Sequence, residues 1–357
     1  MLRPGLLVLL ALRLRVHHAF ITHTRFLIVS SPRRGQVAYT RISSGGVRGG
    51  EMKVLIDGAH GLMHPQGLAV DEARQLLFVA DPDARLVLAF GLRFRHGTLS
   101  VSAPVVCARD VEARWVAVNG VGTVFISDEQ RNEILRMAPL SHKMVRWNSS
   151  ASSTTDMTAL NRSTLAPTVI YDGQTMQALS GPGGIATDGF HVYWANKHQG
   201  RAVGSIVKAP EAPTANPAGG VQVLAHNSDR SYGVCIAHSN IFFTQSTSQI
   251  YGVKKKRCCS APDEVELVSN RLQTPRGCAF DGDGTVFVAD KGANAVYAFA
   301  ANMQALSGAF LTKAANVEDA FGVAVYTLKA GSRQPVLGGL AAVAIAAVLL
   351  PALRLEP

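Results

Sequence analysis

The chain has 357 residues, 47% of them hydrophobic and 17% charged, and a formal net charge of +10. That balance excludes a disordered or highly charged low-complexity chain, and the length accommodates one large all-β domain or two smaller ones. The positive charge draws polyanions at long range. Its one dense run, KKKR at 254–257, has no interleaved aromatics and no nucleic-acid motif beside it, so it reads as a solvated loop and nucleic acid is not an expected partner.

In chain order, residues 1–24 read as a signal-like segment. Pro4 to Leu12 carries no polar side chain and follows Arg3, as the core of an export signal does, although Arg13 and Arg15 interrupt it and the sequence before Phe20 makes a poor cleavage site. Whether the segment is cleaved stays open. The stretch RFLIVSSPRRGQVAYTRI (Arg25 to Ile42) then predicts two strands about a turn, and MKVLIDG (Met52 to Gly58) a further strand.

From Gly67 a pattern recurs, with starts at 67, 115, 184, 233, 277 and 322. Each of the first five units reads as a short strand, a tight turn, a second strand with an aromatic, and a third strand. Asn119-Gly120, Asp188-Gly189 and Asp281-Gly282 mark first turns, because these residues accept positive φ. Asp81, Asp128 and Asp290 stand at second corners, with Asn196 and Gln245 at the equivalent places, where a carboxylate accepts hydrogen bonds from the turn it opens. A fourth apolar run follows each unit, near Val105, Val169, Val223, Val265 and Phe310. Four strands per repeat of about 45 residues is the arithmetic of a β-propeller blade. The sixth start, FGVAVYTL at Phe321, is too close to the apolar tail to finish a blade, and the missing strands are those of Arg25 to Gly58. The fold expected is therefore all-β: a six-bladed β-propeller of four-stranded blades over 25–328, closed by strands from both termini, followed by a C-terminal membrane-length helix.

One interval is too long. It holds a Ser/Thr-rich loop, 146–167, that cannot bury enough apolar surface to order itself, and that contains the sequons at Asn148 (NSS) and Asn161 (NRS), read as glycosylation sites. After a short linker at 329–335, Val336 to Leu353 runs 18 residues without a polar side chain, roughly 27 Å as a helix and about enough to cross a bilayer. A buried helix is the alternative. A lipid anchor would need a longer spacer than Arg333 to Pro335. Residues 354–357 form a short tail. Lys329, Arg333 and Arg354 flank the span on both sides and leave its orientation open. The expectation is a single-pass membrane protein with an extracellular or lumenal, glycosylated propeller.

Five cysteines leave at least one unpaired. Cys258 and Cys259 are adjacent in a loop with no deducible partners, whereas Cys235 and Cys278 fall inside strands and read as small buried hydrophobes. No Cys/His spacing suits a structural zinc. Ligand sites of propellers sit where inner strands begin, and the residues just ahead of the six starts are His64 and Gln66, Arg114, Pro182, Tyr232, Arg276, and Asp319 with Phe321. His64, Gln66, Arg114, Tyr232, Arg276 and Asp319 are the candidate binding residues, with Arg114 and Arg276 favouring an anionic group. No catalytic motif of the G-x-S-x-G or H-E-x-x-H kind appears.

HPQGLAVDEARQLLFVADPDARLVLAF (His64 to Phe90) and TPRGCAFDGDGTVFVADKGANAVYAF (Thr274 to Phe299) resemble the six-bladed NHL-repeat family, and HVYWANKHQGRAVGSIVKA (His191 to Ala209) is similar to the YWTD form with Ala-Asn in place of Thr-Asp. The resemblance covers Arg25 to Leu328. It implies a scaffold shared by binding modules and enzymes, including TolB-like relatives, zinc-dependent lyases that use channel histidines with an Arg and a Tyr, and gluconolactonase-like enzymes that hold a divalent cation. A single histidine at a blade start does not hold a catalytic zinc. Asp71, Asp188 and Asp281 read as turn residues rather than metal ligands. The function expected is a non-catalytic binding module for a peptide, protein or glycan, without cofactor. The alternative is a lactonase- or lyase-like enzyme dependent on calcium or zinc.

Overall fold

The computed structural model describes residues 23–42, 51–140, 166–197, 204–214, 216, 219–255, 265–301 and 306–328. The signal-like segment up to residue 22, the linker, the apolar 336–353 run, the tail, Asn148 and Asn161, most of the 146–167 loop, and Cys258 and Cys259 lie outside the described residues. Among the described residues no helix is long and apolar enough to cross a membrane. Helical structure there is confined to two three-residue turns, Pro32–Arg34 and Gly58–His60.

The strands build six blades. Blade 1 comprises β4 (Leu68–Asp71), β5 (Leu76–Asp81), β6 (Leu86–Arg95) and β8 (Val105–Arg109). Blade 2 comprises β9 (Ala113–Val118), β10 (Val124–Asp128), β11 (Glu133–Met137) and β12 (Thr168–Asp172). Blade 3 holds β13 (Pro182–Thr187), β14 (His191–Asn196), β15 (Gly204–Pro210) and β16 (Gln222–Ser228). Blade 4 holds β17 (Ser231–Ala237), β18 (Asn240–Gln245), β19 (Ile250–Lys254) and β20 (Glu266–Ser269). Blade 5 holds β21 (Pro275–Phe280), β22 (Thr285–Asp290), β23 (Ala295–Ala300) and β24 (Thr312–Asn316). The closing blade takes its inner strand, β25 (Val323–Leu328), from one end of the chain and β1 (Thr24–Ser31), β2 (Gln36–Ile42) and β3 (Lys53–Ile56) from the other. β1 pairs antiparallel with β25 from Val29 opposite Val323 to Thr24 opposite Leu328, so the edges of the ring are sealed by pairing rather than left open.

Two local features depart from the sequence reading. β6 runs past its blade and folds back on β7 (Thr98–Val101) as a hairpin. The hairpin covers the closing blade: the Leu99 N–H donates to the Tyr39 hydroxyl at 3.1 Å, and Phe94 packs on Phe26 with ring centroids 5.2 Å apart. The last outer strand begins at Thr312, after Phe310, which is 76% exposed.

Both faces of every blade are packed, which is why second strands such as LLFVAD (β5) and TVFVAD (β22) are nearly continuous apolar runs rather than strict alternations. The buried side chains form six clusters, one in each seam between neighbouring blades. Corner carboxylates tie the blades internally. Asp81 accepts the amides of Met63 (2.7 Å), His64 (3.1 Å) and Ala84 (3.1 Å), and Asp290 those of Gln273 (2.7 Å), Thr274 (2.8 Å) and Ala293 (3.3 Å). Each holds the turn it opens, as expected, and also the loop leading into its own blade's inner strand. First-turn acids act likewise on the opposite face: Asp71 accepts from the Arg74 amide, and Asp281 from Asp283 and Thr285.

Hydroxyls latch alternate seams. At the residue before the corner stand Ser30, Ala80, Ser127, Ala195, Thr244 and Ala289. Ser30 donates to the Gln66 carbonyl (2.6 Å), Ser127 to Gly183 (2.7 Å) and Thr244 to Arg276 (2.6 Å), each at the start of the next blade's inner strand or just ahead of it.

Candidate functional site

Six inner strands ring the channel in the order β25, β4, β9, β13, β17, β21, each contacting the next. At one level stand the repeat starts, Gly67, Trp115, Gly184, Gly233, Gly277 and Gly322. The five glycines let backbones approach: a Cβ on Gly67 would stand 2.5 Å from the Trp115 Cα, and one on Gly277 would stand 2.7 Å from the Phe321 carbonyl oxygen. Trp115 is the exception. Its ring crosses the channel to the opposite strand, with Cζ3 3.1 Å from the position of a Gly277 Cβ, and packs on Phe321 at 5.4 Å. Both rings are buried, so the channel is stopped at this level.

One residue nearer the mouth stand Gln66, Arg114, Gly183, Tyr232, Arg276 and Phe321. Gly183 offers no side chain, and Lys197 lies across it, Cε 2.9 Å from where a Cβ would be. Lys197 Nζ contacts Glu129 Oε2 at 2.7 Å, and the same carboxylate oxygen meets Arg114 Nε at 2.5 Å. Arg114 Nη2 also meets Glu112 Oε1 at 2.6 Å. Beyond them the Tyr232 ring has Lys197 Nζ 5.2 Å and Arg276 Cζ 4.1 Å from its centroid, both within cation–π range. Arg276 donates one hydrogen bond, to the Pro275 carbonyl at 2.9 Å, and no carboxylate lies within ion-pair distance of it among the described residues. Burial lowers the pKa of Lys197, opposed by Glu129, and lowers that of Arg276, opposed by Tyr232, Asp290 and Asp319.

Of the residues expected at the rim, Arg114, Tyr232 and Arg276 join this arc. Gln66 adjoins it, since the amide of the next residue, Gly67, donates to the Arg114 carbonyl, and among the described residues its buried Oε1 has no hydrogen-bond partner. His64 pairs instead with Asp83 at 2.8 Å, both side chains half exposed. Asp319 is 2% exposed; it accepts the Arg33 amide at 2.7 Å and contacts Lys291 at 3.2 Å, so it ties the closing blade to its neighbour. Sequence reasoning missed Glu112, Glu129, Lys197 and Trp115. Three signals were available: Glu129 and Lys197 immediately follow the corner residues Asp128 and Asn196, and Trp115 stands where the other starts have glycine.

Among the described residues no three His, Cys, Asp or Glu side chains are grouped to hold a metal. The rim carboxylates do not suit a divalent cation, because Glu112, Glu129 and Asp319 each face a cationic side chain already.

The cysteine reading needs correction. Cys235 and Cys278 are buried, but they form a disulfide between β17 and β21, with Cα atoms 5.7 Å apart. The expectation failed because the two residues lie 43 apart in sequence and meet only when blades 4 and 5 pack. Cys107 is free and buried, and burial pushes its thiol pKa up.

No protein-family model and no curated protein matches the chain. Solved structures do. A chain of a nidogen/laminin complex superposes with a TM-score of 0.61 at 16% identity, over 85% of this chain and 98% of that one. A putative 6-phosphogluconolactonase from Bacteroides fragilis gives 0.53 at 12% identity, over 85% and 98%. A protein from Lactobacillus plantarum gives 0.52 at 12% identity, over 86% and 100%. Identities this low establish likeness of fold alone, and together with the strand order they make the chain a six-bladed β-propeller whose neighbours include both a protein-complex component and a lactonase-like protein.

Proposed function

We propose that the channel mouth is a non-catalytic binding site for a carboxylate presented by a protein partner. The observation that carries this reading is the unmatched charge of Arg276. Arg114 and Lys197 are balanced by Glu112 and Glu129, whereas Arg276 lies on Tyr232 without a carboxylate partner among the described residues. A half-buried guanidinium held over a ring, with one N–H spent on the Pro275 carbonyl, keeps its remaining donors for a carboxylate. The stopped channel admits a protruding group from one face only. The likeness to a chain of a nidogen/laminin complex is consistent with a protein partner.

The alternative, a metal-dependent lactonase- or lyase-like enzyme, has less support, because the rim acids are ion-paired. Export, glycosylation at Asn148 and Asn161 and anchoring through Val336 to Leu353 belong to the same proposal. They rest on the apolar run, on the two sequons and on the Cys235–Cys278 bond, a linkage that persists in oxidising compartments.

The test is a titration of the propeller with N-acetyl-aspartate, blocked as its α-methylamide so that the side chain is its one carboxylate, and with N-acetyl-asparagine blocked likewise so that it has none, read by NMR at the Arg276 side-chain N–H. Binding of the first at least ten times tighter than the second, lost in Arg276→Ala, is expected. Equal binding or none overturns the carboxylate reading. Stoichiometric calcium or zinc in the purified protein, with turnover of a lactone, would favour the enzyme.

A further inference from the structure

Tyr232 and Arg276 come from different blades, and inner strands of neighbouring blades share no β-ladder. Their relative register is therefore left to side chains. On β17, Gly233 and Cys235 lie along one stretch, and on β21, Arg276 and Cys278 lie along another, each beside a bulge that interrupts strict alternation, between Ser231 and Val234 and between Pro275 and Cys278. The two stretches face each other: a Cβ on Gly233 would collide with the Arg276 carbonyl, and Cys235 is bonded to Cys278. The bond thus lies two residues along each strand from the Gly233–Arg276 contact. At the contact, the Gly233 amide donates to the Thr244 hydroxyl (2.9 Å), which donates to the Arg276 carbonyl (2.6 Å).

We infer that the Cys235–Cys278 disulfide is a positioning device for the mouth: it fixes β21 against β17 so that the Arg276 guanidinium rests on the Tyr232 ring. The geometry assigns this role for two reasons. Among the described residues, this is the seam of the ring that carries a covalent tie, and it is also the seam where the unmatched cation must be held over its ring. Gly233 contributes no side chain to pack there, so without the bond the register depends on Thr244 and on the apolar cluster beneath, in which both cysteines are buried.

The inference rests on the carboxylate-site reading for its purpose but not for its test. Arg276 side-chain protons held over an aromatic face carry an upfield ring-current shift with or without ligand. In Cys235→Ala/Cys278→Ala, that shift should fall by half or more, and N-acetyl-aspartate should bind at least tenfold more weakly, while the β-sheet circular dichroism is unchanged. Val37→Ala, in the distant seam beside the closing blade, serves as a control of comparable destabilisation and should leave both readouts intact. A second variant, Cys235→Val/Cys278→Ala, restores volume at the seam without the bond and should behave like the first. A ring-current shift preserved in both cysteine variants overturns the inference, and so does unfolding of both at 25 °C, since the bond would then hold the blades rather than the stack. If the intact protein binds no N-acetyl-aspartate but the shift still depends on the bond, the carboxylate reading fails and the positioning role stands.

Discussion

Trp115 reaches Gly277, a residue on the inner strand opposite its own, with its Cζ3 3.1 Å from the place a Gly277 Cβ would occupy. The channel is closed by one side chain from β9 because the strand facing it offers none. Gly277→Ala should therefore strain the plug, with the new methyl 2.7 Å from the Phe321 carbonyl and against a rigid ring. A loss of about 1–3 kcal/mol in urea unfolding is expected, the range for overpacking a core. Gly58→Ala, where a Cβ meets nothing within 4 Å, should be near neutral. Equal effects at the two sites would refute the close approach.

Removing the plug itself is the converse case. Trp115→Ala leaves a void in the channel and should cost about 3–5 kcal/mol, whereas Trp115→Phe keeps much of the contact with Phe321 and should cost less. Matching midpoints for the two variants would mean that the indole is not packed across the channel.

The corner acids should behave as structural clamps. Asp290→Ala strands the amides of Gln273 and Thr274, which the carboxylate accepts at 2.7 and 2.8 Å. Buried donors left without partners cost about 1–3 kcal/mol each, so a marked fall in stability is expected with no loss of a metal or ligand from the protein. Asp290→Asn, which keeps one acceptor, should lie between. A neutral alanine variant would remove the clamp role.

Asp188 gives a pH signature. Burial by itself would raise its carboxyl pKa, but the Lys255 ammonium (2.7 Å), the amides of His191 and Phe190 and the Tyr193 hydroxyl together hold it well below the ordinary value of 3.8. A depressed folded-state pKa contributes stability that is fully present above the unfolded value, and that is lost as pH falls through the folded one. Asp188→Asn should thus cost stability at pH 7, about 1.5–3 kcal/mol for hydrogen bonds to a charged group. The gap between variant and parent should narrow steadily below pH 3.8. A gap independent of pH would assign the effect to packing.

Ring closure bears on the whole architecture. Phe26, Ile28 and Tyr39 of the closing blade pack with Leu77, Leu88 and Phe90 of blade 1, and β25 has β1 as its one partner strand. A chain lacking 25–58 would expose these faces. At about 25 cal/mol per Å², even a few hundred Å² amounts to several kcal/mol, comparable with the stability of a domain. The shortened chain should aggregate or melt far below the intact one, and coincident thermal midpoints would contradict closure.

The six repeats, their corners and the sharing of one blade between the ends of the chain are all legible in the sequence. Each is a local signal with a fixed meaning: apolar runs of strand length, Asp or Asn-Gly at turns, and an unfinished unit at one end answered by spare strands at the other. Arg114, Tyr232 and Arg276 were also legible, because position relative to a repeat start is itself a structural coordinate. What only the tertiary structure decided are relations between blades. Cys235 and Cys278 look like ordinary buried residues within their own strands, and become a bond only where two strands meet that share no hydrogen-bonded ladder. Lys197 carries no signal of its own beyond following a corner, and joins the mouth only because Gly183 leaves the gap it crosses to reach Glu129. Trp115 marks a repeat start in the sequence, and only the glycine opposite makes it the stopper of the channel. A repeat pattern fixes where each side chain starts within its blade, but which neighbour it meets depends on the packing of blades around the ring, and that is settled only when the ring closes.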